Sequence, residues 1–162
     1  MATWTDIDAF TASQLLTKDL AELLRTNQDF LKNPPSYLYT RGFGDADYTT
    51  VAVAFELIDG TNMDETITTF GGDVIVRFSA RLLHSTTGWG YFEIYVDGSP
   101  ISNDTDTGLG GIRPTYAENV AIHKRVTGLA AGSHTFAMYW QTDTGTATLD
   151  RDSMIQFEIR ED

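Results

Sequence analysis

Apolar side chains change their period along this chain. Between residues 11 and 32 they recur every three to four positions, and beyond Pro34-Pro35 they recur every two. The first spacing is that of a helix with one apolar face, the second that of strands with one buried side. Thr11-Ala12-Ser13-Gln14 fits a capping box, with the Thr hydroxyl accepting from the third helical amide and Gln14 reaching back to the cap. Phe10 is placed to staple onto Leu15, and the pattern predicts a helix to about Lys32, stopped by Asn33-Pro34-Pro35.

Within that helix Leu16, Leu20, Leu23, Asn27 and Phe30 form a heptad seam with one polar member. Two readings fit it. The helix either lies with its apolar face on its own β domain or joins a parallel bundle in a homo-oligomer, where a buried Asn fixes register at a cost in stability. About two heptads are present, fewer than the three or four that identify a coiled coil by themselves.

After the prolines, Tyr37 to Arg41 reads as a short extended lead-in and Gly42-Phe43-Gly44-Asp45 as a turn. Strands are predicted from Val51 to Ile58, Thr66 to Phe70, Val74 to Leu82, Trp89 to Val96, Asn119 to Thr127, Ser133 to Thr142, Thr146 to Leu149 and Met154 to Arg160. The clearest has Val74, Val76, Phe78, Ala80 and Leu82 on one face and Arg77, Ser79 and Arg81 on the other. Ser102 to Pro114 is a long polar, glycine-rich loop, where function or mobility tends to collect. The expected fold is mainly β: a jelly-roll β-sandwich of about eight antiparallel strands after an N-terminal α-helix. Its division is residues 1–35 as lead and helix and 36–162 as sandwich.

Composition narrows the function classes. A net charge of -12, from 11 Lys and Arg against 23 Asp and Glu, repels phosphate backbones and anionic membrane surfaces, so neither nucleic acid nor membrane is an expected partner. No run approaches the roughly 20 apolar residues of a membrane span. Met1-Ala2-Thr3-Trp4-Thr5-Asp6 lacks the basic and apolar regions of a signal peptide, so a protein made and kept soluble is expected. Without cysteine there are no disulfides and no thiolate metal sites.

Candidate chemistry is thin. Asp104 and Asp106 alternate in the long loop as calcium ligands do, but Gly108 and Thr115 stand where an EF-hand needs Asn or Asp and Glu, so a solvated turn is expected and no metal. Asp59, Asp64 and Glu65 form a similarly weak acidic group. His84, His123 and His134 lack zinc spacing, and the adjacent pairs Ser133-His134 and His84-Ser85 point to opposite strand faces. Gly108-Leu109-Gly110-Gly111 lacks the Lys and helix of a phosphate loop. No catalytic residues and no cofactor are expected, although a glycosidase's carboxylate pair is neither visible nor refutable in a sequence.

The aromatics carry more. Phe92, Ile94 and Val96 should be core, as should Phe136, Met138 and Trp140, leaving Trp89, Tyr91, Glu93 and Tyr95 on an outward face. Such amphipathic rings suit a subunit interface, ordinary half-exposed packing or a stacking platform for sugars. Tyr91 and Tyr95 are interface candidates, and Trp89, Asp104 and Asp106 are ligand candidates.

Trp4 through Pro35, with Phe-Thr-Ala-Ser-Gln-Leu-Leu leading to Leu-Leu-Arg-Thr-Asn-Gln-Asp-Phe-Leu-Lys, resembles the start of many tailed-bacteriophage structural proteins. It differs from them at Gln28-Asp29, where an Asp-Asn pair is common. Leu129 through Gln141, followed by Gly145 to Leu149 and a last strand through Glu158, resembles jelly-roll domains of the C1q and tumour-necrosis-factor type and phage fibre heads. That resemblance implies a homotrimer, other virion proteins as partners, and a host surface glycan as a further one. It implies a non-enzymatic fibre, spike or capsid decoration, made in the host cytoplasm and carried on the virion, or alternatively a carbohydrate-binding receptor-recognition module.

Overall fold

The computed structural model describes residues 18–32, 38–41, 47–114, 116–150 and 155–162. The chain divides into two compact units, Met1–Ser36 and Tyr37–Asp162. In the first, α1 (Lys18–Lys32) carries Leu20, Leu23, Asn27 and Phe30 of the expected seam; Leu23 is half-buried and Asn27 buried. The expected cap, the Phe10 staple and Leu16 lie outside the described residues, as does the Gly42–Asp45 turn.

Alternation builds the second unit. In chain order its strands are β1 (Leu38–Arg41), β2 (Tyr48–Thr50), β3 (Glu56–Leu57), β4 (Asp64–Thr69), β5 (Gly72–His84) and β6 (Gly90–Val96). They continue as β7 (Ser99–Pro100), β8 (Gly110–Ile112), β9 (Glu118–Leu129), β10 (Gly132–Thr142), β11 (Ala147–Leu149) and β12 (Gln156–Glu161). The ladders joining these strands are antiparallel.

The strands form two sheets. In sheet A, β5 takes β9 along one edge; its other edge takes β12 over Val74–Ser79 and β11 over Leu82–His84, and β1 and β2 extend these in turn. In sheet B, β10 and β6 lie side by side, with β3 and β4 beyond β10 and β7 and β8 beyond β6. The chain changes sheet at six connections, β2 to β3, β4 to β5, β5 to β6, β8 to β9, β9 to β10 and β10 to β11, so the two antiparallel sheets form an interleaved β-sandwich.

The core lies where the two inner faces meet. Val74, Val76, Phe78, Ala80 and Leu82 of β5 are buried against Phe92 and Ile94 of β6 and Phe136, Met138 and Trp140 of β10. Phe92 is central, its ring centroid 5.5 Å from that of Phe78 across the sandwich and 6.5 Å from that of Trp140 on the neighbouring strand. Asp97 and Gly98 both have positive φ, as a two-residue primed turn from β6 to β7 requires.

One predicted strand is largely absent. Val51–Phe55 alternates in sequence yet joins no ladder, and Val51 and Val53 are 70% and 75% exposed; only Glu56–Leu57 pairs as a strand. Here the chain crosses from β2 in sheet A to β3 in sheet B. The Thr50 hydroxyl accepts from the Ala52 amide at 2.9 Å and donates to Glu56, while the Thr142 amide takes the Ala52 carbonyl at 2.8 Å. These bonds satisfy the backbone in a loop, so the strand propensity of the two valines is overridden. Among the described residues, no helix is long and apolar enough to cross a membrane.

Candidate functional site

On β6 the alternation sends Phe92, Ile94 and Val96 into the core and Tyr91, Glu93 and Tyr95 to the outer face of sheet B. An outward Glu should be wet, but Glu93 is 0% exposed. The long loop covers it. Ser102 donates its hydroxyl to one Glu93 carboxyl oxygen, and the Ile94 amide donates to the other at 2.8 Å. The Leu109 amide reaches the Phe92 carbonyl at 2.9 Å, and Gln141 on β10 donates from Nε2 to the Asp106 carbonyl. The loop from 101 to 112 is therefore tethered to β6 and β10, and the segment expected to be a long polar loop contains β8.

Glycine permits this closeness at two positions. Gly108 has φ +58°, and a Cβ there would stand 2.6 Å from the Phe92 carbonyl oxygen and 2.7 Å from Phe55 Cζ. At Gly111 a Cβ would stand 2.4 Å from the Tyr91 ring. Any side chain at either position would lift the loop from the sheet.

The aromatic residues left over by the core pattern pack on one another. Tyr95 stacks on Tyr139 with centroids 3.9 Å apart, and Trp89 stacks on Tyr91 at 6.1 Å. Burial raises the Tyr95 phenol above its ordinary value, aided by Glu93 and Tyr139, so the group stays a proton donor at neutral pH. Trp89 remains 39% exposed, and its backbone amide donates to Asp143 Oδ1 at 2.7 Å.

A groove of about 590 Å³ opens on this face. Tyr91, Tyr95, Gln141, Thr142 and Asp143 line it, and Thr105–Thr107 of the tethered loop and Val53–Phe55 of the crossing segment complete it. Of the ligand candidates, Asp106 lines the groove and Trp89 is fixed beside it through Asp143. Asp104 has a different task. Its carboxyl accepts from the Asp106 and Thr107 amides at 2.9 and 3.0 Å and from the Thr107 hydroxyl, and these bonds, that hydroxyl first, hold it below the usual carboxylate range. It closes the loop on itself. Asp59 does likewise: burial pushes its carboxyl up, but bonds from Tyr48, Asn62 and two amides outweigh that and lower it.

The histidines are engaged separately. His84 Nε2 meets the Thr142 hydroxyl at 2.8 Å and Nδ1 the Thr86 carbonyl at 3.0 Å, while the adjacent Ser85 hydroxyl accepts from the Thr146 amide. His134 Nδ1 lies 2.7 Å from Asp97 Oδ2. His123 lines a smaller cavity of about 380 Å³ on the outer face of sheet A, with Arg77, Ser79, Gln156 and Glu158. Among the described residues no three His, Asp or Glu side chains gather as metal ligands.

Sequence reasoning missed Glu93 as the loop's anchor and Gln141, Asp143 and Phe55 as groove residues. Turn chemistry at Asp143-Thr144-Gly145 was visible, but the Gln141–Asp106 bond joins residues 35 apart and has no local signal. No protein-family model matches the chain, and no curated protein matches it. A solved structure similar to it is dimeric latent PorU from Porphyromonas gingivalis, 12% identical with a TM-score of 0.45, a match covering 79% of this chain and 13% of that one.

Proposed function

We propose that this chain is a non-enzymatic structural protein of a tailed-phage virion, a fibre, spike or capsid decoration component. Its first unit attaches it or gathers copies through Leu16, Leu20, Leu23, Asn27 and Phe30, and its β unit projects outward. The observation that supports this reading is the joining of a unit that carries a helix to a β-sandwich unit within one chain of 162 residues. Three copies are expected, with the β heads contributing most of the contact, because a helix of 15 residues is marginal alone.

Mass photometry of the full chain at micromolar concentration tests this. A particle of three times 17.9 kDa supports the reading, and a monomer overturns the trimer. Leu20→Asp combined with Leu23→Asp should lower the assembled fraction; an unchanged trimer would remove the helix from the interface. Antibody-labelled electron microscopy of the parent particle then locates the protein on head or tail, and labelling of neither sinks the virion assignment.

A further inference from the structure

We propose that the groove on the outer face of sheet B binds a short, uncharged glycan. Its size falls within the roughly 300–1,000 Å³ of small-ligand sites, at about 590 Å³. Its chemistry is that of a polyhydroxyl ligand. Phe55 and Tyr91 offer apolar ring surface to C–H faces, while Asp106, Asp143, Gln141 and Tyr95 offer acceptors and donors to hydroxyls that both give and take hydrogen bonds. Among the described residues no Lys or Arg lines the groove, and the strands of sheet B carry none. An anionic sugar would meet Asp106 and Asp143 with no cation to receive its charge.

Both flanking segments are held in place before any ligand arrives. One is tied down by the fully buried Glu93, by Gln141 and by the glycine contacts at Gly108; the other by Thr50 and the Thr142 amide. Burying a Glu under an exposed loop is an expensive way to build a surface turn, and here it fixes the groove's shape. Preorganised walls matter most for sugars, whose weak contacts cannot also meet the cost of ordering loops. The proposal is independent of where the protein sits on a particle and of how many copies assemble.

A glycan array probed with the full chain, followed by ¹H–¹⁵N NMR titration with the sugars that bind, tests it. Neutral oligosaccharides should bind and shift the amides of Asp106, Thr107 and Gln141–Asp143. Asp106→Ala should weaken binding at least about tenfold with an unchanged melting temperature, and Tyr91→Ala should weaken it as much while also lowering the melting temperature, because its ring packs on Trp89, whereas Asp64→Ala, on the same face outside the groove, should leave binding intact. Thr105→Arg, on an exposed loop position, should block the groove should Tyr91→Ala fail to fold. Absence of any neutral glycan bound, equal binding of sialylated or sulfated sugars, shifts mapping to sheet A, or preference for oligolysine would each overturn the proposal. Release of new reducing ends would also overturn it, by making the groove an active site.

Discussion

The two outer faces of the sandwich follow the same alternation and end in opposite states. Every Lys or Arg on a described strand belongs to sheet A: Arg41, Arg77, Arg81, Lys124, Arg125 and Arg160. Three of these reach carboxylates across or beside the sheet, Arg77 to Glu158 at 3.2 Å, Arg81 to Asp150 at 3.3 Å and Arg125 to Asp73 at 3.0 Å and to Asp162. Their side chains stay about half exposed, so water does most of the solvation and each pair adds little. The described strands of sheet B carry no Lys or Arg. Its outer face is covered by stacked tyrosines and a loop fastened to a buried Glu. An outward position is thus not a wet position until the loops have been placed.

Single substitutions should separate the faces sharply. Glu93→Ala removes the carboxylate that ties the Ser102 hydroxyl to the strand, leaving that hydroxyl only the Asp104 carbonyl within its own loop at 3.1 Å, and should cost about 3 kcal/mol. Arg77→Ala, on sheet A, should stay within about 1 kcal/mol and lose what effect it has in high salt. Urea unfolding of both variants gives the two numbers. Equal values would mean that the loop over sheet B is as dispensable as the ion pairs on sheet A.

Glycines sharpen the same contrast with a smaller effect. Gly108→Ala combines left-handed φ with contacts against Phe92 and Phe55, and about 1–3 kcal/mol is expected together with loss of the loop's amide protection in hydrogen exchange. Gly128, at the end of β9 in sheet A, also has positive φ, +71°, but a Cβ there meets nothing within 4 Å. Gly128→Ala should therefore carry only the backbone strain. If Gly108→Ala proves no worse, the loop is not pressed onto the sheet as its contacts indicate.

These contrasts also mark what was legible in the sequence. The inward set of β5 was plain because both of its periods are local: apolar every second residue, charge or Ser between, and no loop in the way. Asp97-Gly98 is a signal of the same local kind, the chemistry a primed turn demands. The burial of Glu93 was not legible, because it depends on Ser102 and Gly108 returning over the strand, and nothing in the Tyr-Phe-Glu-Ile pattern encodes that return. Val51 and Val53 misled for the converse reason. Their strand propensity is real, but Thr50 and Thr142 capture the backbone first. The groove lies where these two failures meet, between a loop that packs more tightly than its composition suggests and a segment that packs less.

The smallest effect is at the edge of sheet B, where it can be reached by pH alone. His134 is raised above its ordinary 6.5 by Asp97 first and by the Ala130 carbonyl second, and Asp97 is held below its ordinary 3.8 by His134 and the Thr135 amide. The histidine's contribution is complete below pH 6.5 and fades as pH rises through its raised value, while the aspartate's is complete above pH 3.8 and fades as pH falls through its lowered one. The bridge therefore stabilises most between those limits. Asp97 is half exposed, so solvent screening keeps the effect under about 1 kcal/mol. Asp97→Asn should lower the urea midpoint at pH 5 and do so less at pH 8, whereas Arg125→Ala on sheet A, whose ion pairs with Asp73 and Asp162 involve no histidine, should give the same shift at both. A pH-independent effect of Asp97→Asn would assign its role to the Thr135 amide bond alone, leaving the turn at that edge held by backbone geometry rather than by charge.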